Sequence, residues 1–156
     1  MDTAAVEHRG LSVYRETATA AACYAGGMKS KLPGCCPYLY YDDVDAAVAW
    51  LDKAFGFEAG FTSRGKDGKL EHAQVWLREA MVMLGRASGD VVSARKAPAL
   101  HSGIYVYVDD VDAHCRRARE AGAKIAFEPW DAPWGERAYC AKDVEGQFWT
   151  FSNGPK

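Results

Sequence analysis

Residues 38–46 read YLYYDDVDA and residues 105–113 read YVYVDDVDA, so seven of nine positions recur 67 residues further on. Repetition at that spacing signals duplication of one supersecondary unit. In each copy the tyrosine-rich run alternates as a half-buried strand does, which puts Tyr38 and Tyr40 on one face of their strand and Tyr105 and Tyr107 on one face of theirs. That face is either packed by a helix or open. Asp43 and Asp110 stand where a helix N-terminus takes a carboxylate. Val44, Val48 and Leu51 in the first copy, and Val111, Cys115 and Ala118 in the second, fall at i, i+4 and i+7, the stripe a helix lays on a sheet. Gly56 and Gly122 supply the helix ends.

Three strands follow each predicted helix. In the first copy they are FEAGFTSR (57–64), LEHAQVWL (70–77) and MVMLG (81–85), joined by Lys66-Asp67-Gly68 and a tight reversal at Arg78-Glu79-Ala80. In the second they are AKIAFEP (123–129), RAYCAK (137–142) and QFWTFS (147–152), joined by a loop rich in Trp, Pro and Gly and by the turn Asp143-Val144-Glu145-Gly146. The expected fold class is therefore α+β: two tandem βαβββ modules forming curled, cup-like mixed sheets. The domain plan is an N-terminal extension over 1–33, a first module over 34–85, a linker over 86–101 and a second module over 102–156. The extension is rich in alanine, lacks sustained periodicity and breaks at Gly26-Gly27, which leaves Met28 as an alternative start.

Composition narrows the function classes. A chain of 156 residues with 49% hydrophobic content can bury a substantial core without staples. A net charge of -2 provides no basic field for nucleic acid, and no run of 18 apolar residues is present to span a membrane. Asp2 and Glu7 spoil the positive start of a signal peptide, so the expected location is cytoplasmic. The five cysteines, Cys23, Cys35, Cys36, Cys115 and Cys140, are odd in number and lack CxxC spacing, which fits reduced thiols; adjacent Cys35 and Cys36 are the pair to watch for reactivity.

The duplicated βαβββ unit, with a strand-DDVD-helix opening in each copy and DVEG before the last strand, resembles the vicinal-oxygen-chelate superfamily over residues 36–152. That group includes glyoxalases, bleomycin-resistance proteins and extradiol dioxygenases. The segment APWGERAYCAKDVEGQFWTF (132–151) is similar to the PWG-containing segment of bleomycin-resistance-type members, with Val144 in place of their usual proline. In the metal-dependent families the resemblance implies ligands at Cys36 and Gly103 in the first strands, and at about Met83 and at Thr150 in the last. None is a histidine or a carboxylate. A divalent ion needs three or four converging N and O donors, so the expectation is no metal and no cofactor, unless a shift of register brings His72 or His101 into play.

His72, beside Glu71 and Gln74 at a strand start, is the one weak candidate for a catalytic base, while His8, His101 and His114 read as surface. Trp130 and Trp134 lie in EPWDAPWG (128–135), where two large rings between Pro and Gly suit stacking on a flat ligand. Glu136 and Arg137 are its expected polar handles, and Gln74, Trp76, Tyr139 and Trp149 its other walls. The expected protein binds a small, flat or aromatic molecule in a cup between modules without a catalytic metal, as a homodimer that pairs its open sheet edges. Two alternatives remain open: a metal-dependent lyase, isomerase or dioxygenase acting on a small carbonyl or aromatic substrate, and a non-catalytic interaction module.

Overall fold

The repeated aspartates start both helices as expected: the Asp43 carboxylate accepts from the Ala46 amide, and that of Asp110 from the Ala113 amide, each at 2.9 Å. Around them, the computed structural model describes residues 34–97 and 102–154. The expected extension over 1–33, with His8 and Cys23, and also His101, lie outside those residues. The element order is β1 (Tyr38–Tyr41), α1 (Val44–Phe55), β2 (Glu58–Arg64), β3 (Leu70–Leu77), β4 (Ala80–Arg86), β5 (Gly103–Tyr107), α2 (Val111–Glu120), β6 (Lys124–Asp131), β7 (Arg137–Lys142) and β8 (Phe148–Ser152). This is βαβββ twice.

The strands form two four-stranded sheets, β1-β4-β3-β2 and β5-β8-β7-β6. In each, the first strand runs parallel to the last and the other neighbours are antiparallel, so both sheets are mixed and neither is closed. No helix among the described residues is long and apolar enough to cross a membrane.

Strand parity decides what each sheet does. Tyr41, Ala73, Val75 and Leu84 of the first sheet, and Val106, Tyr139, Ala141, Trp149 and Phe151 of the second, are buried with both helices in one continuous core. Phe55, at the end of α1, sits 5.6 Å from Trp149 and 4.7 Å from Phe151 between ring centroids, and Phe57 sits 5.4 Å from Trp149. Residues of the first module thus fill the second. Full burial of each such ring stabilises by about 1.5–3 kcal/mol. The opposite face of each sheet turns away from this shared core.

A polar fastener closes the same seam. Asp143, in the turn between β7 and β8, accepts from the Tyr41 hydroxyl at 2.6 Å, the Trp149 indole at 3.0 Å, and the amides of Glu145 and Gln147. Glu145 in turn accepts from the amides of Asp42 and Asp43, so the turn of one module satisfies donors at the helix start of the other. The DVEG sequence, read as a simple turn, is a joint between modules.

Three local details differ from the expected pattern. The buried stripe of α1 is Val44, Ala47, Leu51, Ala54 and Phe55, with Val48 only partly buried, because helical rotation places 47 and 54 squarely over the sheet. β4 runs through Arg86, one residue past the expected linker boundary. β6 reaches Asp131, so Trp130 stands on a strand and not in a loop. The register shift between Phe127 and Trp130 lets this edge strand absorb Pro129.

Candidate ligand-binding site

The outward face of the second sheet is built of rings. Tyr105 and Tyr107 on β5 lie 5.6 Å apart, and Phe127 on β6 lies 6.2 Å from Trp130 and 6.4 Å from Phe148 in edge-on contacts. Cys140 and Thr150 lie between these groups, bonded to each other at 3.3 Å. Phe127 is 61% exposed and Tyr107 55%. At one end rises the hairpin between β6 and β7, closed by the Ala132 amide on the Glu136 carbonyl and by the Gly135 amide on the Ala132 carbonyl. Gly135 adopts φ 93°, a left-handed conformation that glycine takes without a Cβ penalty. Trp134, just before it, is 63% exposed.

Glu136 organises this end. Its carboxylate accepts from the Tyr105 hydroxyl at 2.5 Å and from the Ser152 hydroxyl at 2.8 Å. These two bonds, with a smaller effect of the neighbouring Trp134 side chain, hold it below the usual carboxylate range. Burial, and then the bond to Glu136, push the Tyr105 phenol up. Arg137 turns the other way and grips Asp112 of α2 through two bonds of 2.8 and 2.9 Å, with Asp131 at 3.0 Å. Asp112 and then Asp131 push its guanidinium above the ordinary arginine value.

Two expectations change accordingly. Glu136 and Arg137 are already engaged within the chain, one bonded to Tyr105 and Ser152 and the other in an ion-paired link to α2. Tyr139 and Trp149 do not share a wall with Gln74 and Trp76: both are 0% exposed, because their parity points them into the core. Trp149 bonds Asp143 there. The Tyr139 hydroxyl bonds His114 Nδ1 at 2.7 Å.

His114 is likewise not a surface residue. Its Nε2 donates to the Phe55 carbonyl at 2.9 Å, so Nδ1 accepts from Tyr139, and its ring lies 4.3 Å from that of Phe151. Burial pushes the imidazole down, the Phe55 bond pulls it up in part, and Arg117 adds to the lowering. Sequence reasoning missed this contact because it depends on where the end of α1 docks.

The first sheet offers a different face. Here the structure does bring His72, Gln74 and Trp76 together on β3, opposite Gly85, Met83 and Met81 of β4 and next to Tyr38 and Tyr40 of β1. Tyr38 Oη and His72 Nδ1 are 3.0 Å apart. The rings of Tyr38 and Phe61 flank the imidazole at 5.6 and 5.9 Å, and burial lowers its pKa. The glycine in MVMLG was the available signal for this arrangement, since a strand glycine often marks close approach by another group.

The register also tests the donor set at the ligand positions the resemblance implies. Of the expected positions, Cys36 lies before β1 and Gly103 pairs with Phe148, while the residues in register with Met83 and Thr150 on the first strands are Tyr38 and Tyr105. Thioether, phenol and hydroxyl groups do not make a divalent-ion site, and among the described residues no three His, Cys, Asp or Glu side chains converge as metal ligands. Among the described residues, the side chains at these positions do not form a divalent-ion donor set. Elsewhere, a 460 Å³ recess is lined by Arg64, Lys66, Asp67, Glu71 and Arg86, but its two arginines are already paired with Asp45 and Asp67.

Comparison with known proteins agrees with this architecture. The family model described as Glyoxalase/Bleomycin resistance protein/Dioxygenase superfamily matches residues 35–151. Mb0911c of Mycobacterium bovis, itself uncharacterized, is 31% identical over 123 residues, which cover 76% of this chain and 81% of that protein. Among solved structures, TioX from Micromonospora sp. ML1 superposes with a TM-score of 0.64 at 32% identity, covering 80% of this chain and 98% of its own. TnmS3, an antibiotic binding protein from Streptomyces sp. CB03234, shares the fold with a TM-score of 0.57 at 22% identity, covering 81% of this chain and 99% of its own.

Proposed function

Because the chain belongs to the Glyoxalase/Bleomycin resistance protein/Dioxygenase superfamily, we propose that it binds a small, flat, aromatic molecule between outward sheet faces, without a catalytic metal. The observation that carries this reading is the exposed ring surface of the second sheet, where Tyr105, Tyr107, Phe127 and Trp134 all stand open. A contiguous exposed apolar patch marks a binding surface more often than it marks idle exterior. Glu136 holds one of those rings, Tyr105, in place before any ligand arrives, which reduces the ordering cost of binding. The description of TnmS3 as antibiotic binding points the same way for a protein of the same fold.

The sheets turn their helix-bearing faces to a shared core, so one chain does not close a cup over its own rings. The reading therefore includes a homodimer in which the aromatic face of one chain is covered by the face carrying His72, Gln74 and Trp76 of a second copy. Two experiments test it. Sedimentation equilibrium is expected to give a dimer at micromolar concentration. Calorimetric titration with planar tricyclic aromatics is expected to show binding at one ligand per chain; a strict monomer that binds none of them would overturn the reading.

A further inference from the structure

The outward face of the first sheet contains an arrangement that packing alone does not require. Gly85 interrupts β4 in mid-strand, where glycine weakens a sheet. The space a side chain would take there is filled by Tyr38: a Cβ on Gly85 would lie 2.6 Å from Tyr38 Cε1 and 2.9 Å from its hydroxyl oxygen. The phenol ring therefore lies across the glycine, and this brings its oxygen to 3.0 Å from His72 Nδ1. Neighbouring rings brace the pair on both sides, with Tyr40 5.0 Å from Tyr38 and Phe61 5.9 Å from His72.

We propose that the Tyr38–His72 couple is the hydrogen-bond anchor of the binding site, and that it selects neutral planar ligands carrying a carbonyl oxygen or ring nitrogen as acceptor. The inference rests on the aromatic-binding reading above and adds the polar chemistry that reading lacks. A phenol is a good donor to a neutral imidazole, and burial favours the neutral ring. With Nδ1 accepting from Tyr38, the imidazole proton sits on Nε2. No other described residue bonds to this imidazole, so the Nε2–H is the donor left to meet a ligand. The tyrosine acts by fixing the tautomer.

The surroundings decide the charge of that ligand. The positions of β1, β3 and β4 on this face are Tyr38, Tyr40, His72, Gln74, Trp76, Met81, Met83 and Gly85, none of which carries a formal charge at neutral pH. On β2 the residue in register with Trp76 is Glu58, an anion, so a carboxylate or phosphate would find no counter-ion on this face. A neutral acceptor on an apolar ring finds the His72 donor beside a thioether and aromatic floor.

The test uses the full chain and two pairs of probes that differ by one carbonyl: fluorenone against fluorene, and xanthone against xanthene, titrated by calorimetry. Wild type is expected to prefer each ketone by about tenfold, the discrimination a single well-placed hydrogen bond provides. In His72→Phe the ratio is expected to fall towards one, and in Tyr38→Phe, which keeps the ring over Gly85 but releases the tautomer, to fall part of the way, with amide spectra confirming that each variant is folded. Equal affinity for ketone and hydrocarbon in wild type, or an undiminished preference in folded His72→Phe, overturns the anchor while leaving the aromatic reading intact. Failure of all four probes to bind wild type overturns both.

Discussion

Tyr41 on the first strand donates its phenol hydrogen to Asp143, 102 residues further along the chain, at 2.6 Å. The carboxylate is buried in the seam, and burial raises its pKa although four donors favour the charged form. Asp143→Asn replaces one accepting oxygen by an amide that faces donors. It is expected to cost about 1–3 kcal/mol of stability in urea unfolding, and Tyr41→Phe about 1 kcal/mol. Because both act on one bond, the double variant is expected to lose less than the sum of the two.

Acid is expected to weaken the same seam through His114. Its folded pKa lies below the unfolded value of about 6.5, so between the two the unfolded chain binds the extra proton. The contribution is fully present above pH 6.5 and is lost as pH falls towards the folded value. His72 is shifted in the same direction, so the measurement compares slopes. Thermal unfolding from pH 7.5 to 5 is expected to show a smaller acid loss in His114→Gln than in wild type, starting from a lower midpoint.

Trp134→Ala separates ligand affinity from folding. The indole is 63% exposed, so stability is expected to change by less than about 0.5 kcal/mol. A bound planar aromatic is expected to lose about 1–3 kcal/mol of affinity, as at an interface hot spot. Equal affinity in both proteins would assign the hairpin a structural role instead.

Gly85→Ala tests the braced tyrosine without altering any hydrogen-bonding group. The added methyl overlaps the Tyr38 ring, a side chain that can swing away, and the fold is expected to survive at a cost of about 1 kcal/mol. The bond to His72 is then lost. Nitrogen chemical shifts of the imidazole are expected to move from a hydrogen-bonded Nδ1 towards a mixture of tautomers, while those of His114 stay fixed.

The fold was legible from the repeat because strand parity, N-cap aspartates and helix-end glycines are local properties, each carried by a few adjacent residues. Val111, Cys115 and Ala118 are buried as their spacing requires. The site was less legible. Trp76 and Gln74 share their expected face, but parity sends Tyr139 and Trp149 inward, and counting one residue along β7 or β8 exchanges the two faces. The partners of His114, Glu136 and Arg137 are remote in sequence or belong to another element. No periodicity announces a bond between Tyr105 and Glu136, or one between His114 and the carbonyl that ends α1.

The shared core has a further meaning for how the two copies have drifted apart. With Phe55 and Phe57 embedded beside Trp149, and Glu145 serving the start of α1, neither half retains a complete interior of its own. The duplicated halves became mutually dependent inside and remained separate outside. Their interior faces must change together, while each outward sheet is free to specialise. One carries a histidine and an amide among methionines and rings; the other is built mainly of rings. A duplication that began as repetition has thereby become two outward faces of different chemistry within one chain.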